Sequence, residues 1–487
     1  MRPTTKIYSL VVLMLILTGL LAACGDNTVT TTPATASQAT TAAGATTSAA
    51  TTAAGATTAA SAAATTAAGT ATTAGATTAA GAAGASSGSG SKIKVTMWTH
   101  SAGNKGEMEV LGKEVPAFNS SQNKYEVTIE SFPQASYNDS IAAASVAGNL
   151  PCIMDMDGPT VPNFAWSNYI QPLPITDADV KAMGIIPSAV GSYNGKIYSL
   201  GQFDVALLIF GRKSILDKNG IRIPTIDKPW TLDEFNAALA KLKSAGGFDY
   251  AIDLGTQGKG EWWPYAYSPM LQSFGGDLID RKTYTTAEGV LNGPEAVKWG
   301  QWFQDLFKKG YANPTPADDQ AFLQGRAALA YNGSWGTADV VKKYGDDALF
   351  LPPPDFGKGP KIGGASWQWG ISAKCQQAEG AWQFIKYIMQ PENVALYSNT
   401  NSLIPTTTAG AALVPDYAPG GKYRIFFDMA NKFAVLRPPT PGYLIISSQF
   451  EKAGLAIRDG GNVQNALDDA VDAINRDIKD HNNYAPR

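Results

Sequence analysis

Apolar and polar positions alternate over Ile93-Lys94-Val95-Thr96-Met97-Trp98 and again over Tyr125-Glu126-Val127-Thr128-Ile129-Glu130. A period of two puts one set of side chains on a buried face, so both segments are predicted strands. The polar stretch up to Gln122 reads as a helix between them. An Ala-rich helix around 141–147 then leads into a third strand, Cys152-Ile153-Met154-Asp155-Met156-Asp157. Strands about 30 residues apart with helices between them form βαβ units, hence parallel strands with right-handed crossovers. Sheets of this kind hold ligands at the carboxyl ends of their strands. The pattern therefore gathers residues 98–101, 132–136 and 157–159 on one edge.

Farther along, Thr231-Leu232-Asp233-Glu234 has the form of a capping box, with Trp230 and Phe235 spaced as a hydrophobic staple. Segments 294–309 and 379–389 both read as helices. In the second, Ala381, Trp382, Ile385, Ile388 and Met389 mark an apolar face that Pro391 is expected to end. Val463, Ala466, Leu467, Ala470, Val471, Ile474 and Ile478 recur at helical spacing and read as a core stripe.

The start of the chain follows neither period. Arg2 and Lys6 precede an apolar run over 7–20, the form of an export signal and short for a membrane span. Leu21-Ala22-Ala23-Cys24 resembles the lipobox of bacterial lipoproteins. That resemblance implies removal of residues 1–23, diacylglycerol on the Cys24 sulfur and an anchor on the outer face of the cell membrane. The alternative is an ordinary secretory signal with an incidental cysteine. More than one lipid chain gives stable anchoring. Residues 25–91 are Thr, Ala, Gly and Ser with one charge, Asp26, and no aromatic ring. Without large side chains to bury they cannot offset their backbone entropy, so 24–91 reads as a disordered tether. As a flexible coil its mean reach is roughly 45 Å. The composition permits O-glycosylation without demonstrating it. Gly84-Ala85-Ser86-Ser87-Gly88 fits the hydrolase G-x-S-x-G pattern, but no strand precedes it and no helix follows.

Composition narrows the chemistry. Across 487 residues, 38 Lys and Arg face 41 Asp and Glu, a formal charge of −3. No basic run interleaved with aromatics occurs, which argues against a nucleic-acid partner. Two histidines, His100 and His481, and three cysteines, Cys24, Cys152 and Cys375, nearly exclude zinc sites and restrict catalytic triads. No cofactor is expected. Only 16% of the chain is charged, but the tether dilutes this. Residues 92–487 hold 36 Lys/Arg and 40 Asp/Glu among 396 positions, or 19%, together with all 11 tryptophans. Tryptophan offers flat apolar faces to a ligand as well as to a core.

Several blocks, in order, resemble the extracellular solute-binding proteins of sugar ABC importers, the group that includes maltose-binding protein. They are Leu150-Pro151-Cys152-Ile153-Met154-Asp155, Tyr169-Ile170-Gln171-Pro172-Leu173, Phe274-Gly275-Gly276-Asp277 and Leu291-Asn292-Gly293-Pro294-Glu295-Ala296. Residues 321–329 with Gly333-Ser334-Trp335 follow, and Gly363-Gly364 with Trp369-Gly370-Ile371-Ser372 completes the series. Cys152 replaces the family's usual Asp, and Phe210-Gly211-Arg212 its common Tyr-Asn-Lys. The resemblance implies a two-lobed α/β fold of the type II periplasmic-binding-protein kind. Each lobe would be a mainly parallel sheet flanked by helices, and hinge strands would cross between lobes. Lobe one is placed at 92–204 and 353–405, and lobe two at 205–352 and 406–487. It implies a monomer that hands a carbohydrate to ABC permease subunits and performs no catalysis. In the implied topology Cys152 lies near Cys375, so a disulfide is expected, with two buried free thiols as the alternative.

Sugar recognition needs flat faces for pyranose C–H groups and planar polar groups for hydroxyls. Trp262, Trp263, Trp335 and Trp367 sit beside Pro264, Gly333 and Gly364, which suggests loops, and Trp335 leads because the family's Gly-x-Trp tryptophan commonly stacks on sugar. Trp299, Trp302 and Trp382 fall in predicted helices and read as core. Asp157 ends its strand, with Asp155 on the same side. His100, Ser101, Gln134, Asp204, Glu261, Gly364 and Tyr443 complete the candidate ligand set. A glycosidase using Asp157 and Glu261 is the rival from another class, and a peptide or polyamine is the rival solute.

Overall fold

The computed structural model describes residues 91–486. The Cys24 lipidation site and the Thr/Ala/Gly tether lie outside the described residues. The first sheet runs Tyr125–Ser131, Ile93–Thr99, Ile153–Asp157, Trp367–Ser372, Lys196–Leu200, Val190–Tyr193, with Ile170–Gln171 also paired to Trp367–Ser372. Its first three strands are parallel, connected by helices Lys105–Ser121 and Gln134–Ala147. The remaining pairings are antiparallel, because Trp367–Ser372 arrives from far along the chain and inserts head-to-tail beside Ile153–Asp157. That insertion sets Trp367 opposite Asp157 and Trp369 opposite Asp155. At the other end of the same pair, Cys152 and Cys375 form a disulfide with Cα atoms 4.7 Å apart.

The second sheet runs Ala348–Leu351, Leu207–Arg212, Ala327–Gly333, Tyr250–Asp253. Only its last pair is parallel, so it is mixed where a mainly parallel sheet was expected. The reason is topological. Ala327–Gly333 crosses to Ala348–Leu351 through helix Thr337–Tyr344, and Leu207–Arg212 lies antiparallel between the two. Alternation along Leu207–Arg212 feeds two cores. Leu207 and Ile209 face one that contains Trp230, Trp263, Trp299 and Phe303, while Leu208 and Phe210 face one built with Ile362 and Phe426. Phe356 also joins the first of these, so segment 353–364 packs with the second sheet although it was expected in lobe one.

Two short ladders lie where the chain crosses between the halves: Phe203–Asp204 antiparallel to Ile404–Pro405, and Ile362–Gly364 parallel to Ala434–Leu436. Local signals resolve as their chemistry dictates. Thr231 and Glu234 close a reciprocal capping box at helix Leu232–Ala245, and Trp230 stacks on Phe235 with centroids 5.8 Å apart. The final helix, Val463–Asp480, buries Val463, Leu467, Ala470, Val471, Ile474 and Ile478. Pro391 does not simply end a helix. It occupies the first turn of the next one, Pro391–Asn401, where its missing N–H costs nothing. Among the described residues no helix is long and apolar enough to cross a membrane.

Candidate functional site

The junction between the halves is built around one side chain. Arg437 follows strand Ala434–Leu436 and precedes Pro438, and it is only 3% exposed. Its two terminal nitrogens donate to both oxygens of Asp157 at 2.6 and 2.7 Å, a bidentate pair with the carboxyl end of a first-sheet strand. The same guanidinium donates to Glu261 Oε2 at 2.6 Å and to the Ala365 carbonyl at 2.6 Å. Glu261 stands at the N-terminal end of helix Trp262–Phe274, which packs with the second sheet, so Arg437 ties the two halves together through their carboxylates. Charge-assisted bidentate pairs are among the strongest polar contacts available to a protein. The Tyr443 hydroxyl donates to Glu261 at 2.6 Å and Ser447 Oγ donates to its other oxygen. The face of Tyr265 lies 5.2 Å from the guanidinium carbon. Two donors here have no partner: Arg437 Nε and the Tyr265 hydroxyl.

Asp204 lies beside this cluster on the crossing strand Phe203–Asp204. Burial pushes its carboxyl up to about 6, against hydrogen bonds from Ser188 Oγ at 2.5 Å and the Val205 amide at 2.8 Å.

A second network lies below Trp367. His100 Nδ1 meets Asp155 Oδ2 at 2.7 Å, and Nε2 meets Glu107 Oε2 at 3.3 Å. Thr99 Oγ1 also donates to Asp155, at 2.8 Å, and Ser101 Oγ donates to Glu107, at 2.8 Å. Burial alone would lower the His100 pKa, but the charges of Asp155 and Glu107 outweigh it and hold the value above 6.5. The imidazole stacks on Trp367 with centroids 3.6 Å apart and planes 7° from parallel.

Facing these groups on the second half is an aromatic wall. Trp262, Tyr265 and Trp335 cluster with ring centroids 6.2 to 6.4 Å apart. Trp335 is 39% exposed, which is high for so large an apolar ring. It folds over Gly333, where a Cβ would stand 2.0 Å from the ring, so only glycine permits the pose.

Of the residues picked from sequence, Asp157, Glu261 and Tyr443 converge on Arg437, and Trp262 and Trp335 form the wall. Several need correction. Trp262 and Trp263 open a helix and are not in a loop. Successive helical positions lie about 100° apart, so Trp262 reaches the wall while Trp263 is fully buried among Tyr267 and Phe303. Trp367 begins a strand, and Trp335 lies in a single turn of 3-10 helix. His100 and Ser101 are 4% and 1% exposed and spend their polar atoms on Asp155 and Glu107. Gly364 is a ladder residue paired with Leu436. Gln134 is exposed at the start of helix Gln134–Ala147. The sequence reading missed Arg437, Tyr265 and Ser447. For Arg437 a signal existed, since three carboxylates predicted at one edge require a cation. Cavities of about 240 Å³, beside Tyr250, Asp253 and Arg326, and about 350 Å³, beside Trp166, Asn194 and Lys196, lie away from this junction. Among the described residues no group of three or more His, Cys, Asp or Glu side chains is arranged to hold a metal.

Known proteins share this architecture. The GacH receptor of Streptomyces glaucescens superposes with a TM-score of 0.69 at 24% identity, covering 80% of this chain and 98% of that one. In sequence, the maltodextrin-binding protein MdxE of Bacillus subtilis is 24% identical over 349 residues, 69% of this chain and 79% of that protein. The sn-glycerol-3-phosphate-binding periplasmic protein UgpB of Yersinia pestis is 25% identical over 399 residues, 75% of this chain and 84% of its own length. The profile of the bacterial extracellular solute-binding proteins matches residues 114–422, more than half of the sequence. With two sheets joined by crossing strands and a buried ionic junction between them, the chain belongs to the bacterial extracellular solute-binding protein family.

Proposed function

We propose that this protein captures an uncharged carbohydrate between its lobes and delivers it to the permease of an ABC importer, without chemistry of its own. The observation that carries the reading is the pairing of aromatic surface with saturated charge. Trp262, Tyr265 and Trp335 on one side and Trp367 on the other offer flat faces to sugar C–H groups. Arg437, the cation of the junction, and the His100 ring are each held by two carboxylates. A phosphate ligand would have to displace those carboxylates, whereas hydroxyls only need acceptors and donors such as Arg437 Nε and the Tyr265 hydroxyl. This favours a ligand of the kind named for the maltodextrin-binding relative over that of the glycerol-phosphate-binding one.

In this reading lobe one comprises 92–204 and 365–405, and lobe two 205–364 and 406–487. The lobes act at the outer face of the cell membrane as a monomer, tethered through lipid on Cys24. Ligand stabilises the lobe arrangement that the permease recognises, by its differential affinity for that arrangement.

Thermal shift across a panel of mono- and oligosaccharides, with sn-glycerol-3-phosphate, peptides and polyamines as the contrasting arms, tests it. Ligand at 100 times its Kd adds about 2.7 kcal/mol of stability. Response to a saccharide is expected. Silence toward every saccharide with a response to glycerol phosphate, a peptide or a polyamine refutes the reading.

A further inference from the structure

His100 has a carboxylate beside each ring nitrogen, and its ring lies against Trp367. The helix Lys105–Ser121 supplies Glu107 to one ring nitrogen, and strand Ile153–Asp157 supplies Asp155 to the other. Asp155 is hydrogen-bonded to one ring nitrogen and the Glu107 carboxylate lies 3.3 Å from the other, so negative charge at both ends favours the ring in which both nitrogens carry hydrogen. Asp157 on the same strand adds a further negative charge, and Tyr137 of helix Gln134–Ala147 packs beside the ring with centroids 6.3 Å apart. Tyr137 also meets Trp367 at 5.8 Å. With His100 and Trp367 at 3.6 Å, the three separations form nearly a right angle at Trp367. Tyr137 therefore stands at the indole's edge, and His100 covers one face. Trp367 is partly buried and also packs against the core that contains Trp230, Trp263 and Trp299.

We propose that His100 is a positioning residue for the sugar platform: its imidazolium, clamped between Asp155 and Glu107, holds the Trp367 indole in one plane from beneath. The platform's order then depends on a proton. Below the His100 pKa both carboxylates are satisfied and the stack is locked. Above it one hydrogen is lost, Glu107 or Asp155 faces a lone pair, and the ring and its indole loosen. Because the neighbouring charges raise that pKa against the effect of burial, the locked state persists to higher pH than a free imidazole would allow.

The chain has only two histidines, which makes the test clean. Imidazole ¹⁵N spectra of the unliganded wild type, assigned with H481Q, are expected to show His100 keeping its second proton to higher pH than a free imidazole. The Trp367 indole N–H signal, assigned by its loss in W367F, is expected to shift or broaden as His100 deprotonates, and to be so at every pH in H100Q. With maltotriose as the probe, H100Q is expected to bind roughly three- to tenfold more weakly, the range set by one lost ring pair, and without the loss of affinity that accompanies His100 deprotonation in the wild type. In H100Q/W367F the two losses should not add. A His100 that loses its second proton at or below the pH at which a free imidazole does, or an H100Q protein with an unchanged Trp367 indole signal, overturns the proposal. The inference rests on the carbohydrate reading only for its binding arm. Absence of maltotriose binding together with the expected histidine and indole signals counts against maltotriose as ligand and supports the positioning role.

Discussion

Replacing Arg437 with Met tests whether the ionic junction holds the halves together. The guanidinium makes four hydrogen bonds of 2.6 to 2.7 Å, and every partner is on a different strand or helix start or on a connecting turn. Methionine keeps much of the stem's volume and removes all four. Asp157, 5% exposed, then faces Glu261 with no cation between them. Breaking a buried pair by removing one partner costs about 3–5 kcal/mol, mostly because the other charge stays buried. Two orphaned carboxylates place R437M at the upper end of that range. The cost should fall at acid pH, where protonation relieves the repulsion. Urea denaturation followed by tryptophan fluorescence reads the loss, and a cycle with Asp157→Asn separates pairing from packing. The double variant R437M/D157N should lose less than the two single losses combined. A loss below about 1 kcal/mol for R437M, or full retention in Arg437→Lys, refutes the reasoning, since lysine cannot make the bidentate contact.

Four further outcomes follow from the same geometry. Trp335→Ala should weaken saccharide binding at least about tenfold while leaving the unfolding midpoint nearly unchanged, whereas Trp263→Ala should cost about 3–5 kcal/mol of stability. Calorimetric titration and thermal melts distinguish these, and the opposite assignment would reverse the roles of the two rings. Burial raises Glu114 to about 8, so the folded state keeps a proton that the unfolded chain releases near 4.5. That contribution is complete below pH 4.5 and is lost as pH rises toward 8, and Glu114→Gln should flatten the decline in a pH series of melts. Asp204, raised to about 6, adds a loss of the same sign between about pH 4 and 6. Alkylation of the unfolded, unreduced chain should leave Cys152 and Cys375 unmodified in mass spectra, and replacing both with Ser should cost about 2–5 kcal/mol.

The parts of this molecule that were legible in the sequence are those governed by neighbours along the chain. Alternation at 93–98 and 125–130 gave strands, the Thr231/Glu234 spacing gave a cap, and the 463–478 stripe gave a buried helix face. Site residues were legible only as far as location went. Asp157 and Glu261 were picked because they end a strand and precede a Trp pair, but Arg437, some 280 residues from Asp157, carries no local sign of its partners. The Trp262-Trp263 pair shows the same limit at short range. Both residues are chemically equal, and only the start of a helix at that point turns one to the wall and the other to the core. His100 was placed on the correct edge, but its partners were not legible, because Glu107 and Asp155 close on it from two elements.

The order of strands in the first sheet has a consequence for how the protein is made. Its fourth strand, Trp367–Ser372, sits between Ile153–Asp157 and Lys196–Leu200, although more than 160 residues separate it from either in the chain. As an exported chain emerges from its N-terminus, the first three strands can pair while that slot is empty. The unpaired backbone edge of Ile153–Asp157 stays uncovered until residues 205–366 have followed. Open edges of this kind recruit other strands. A chaperone at the exit site, or fast folding of the inserted half, would have to protect this edge during that interval. A chain truncated before residue 367 keeps it permanently, and aggregation is the expected fate of such a fragment.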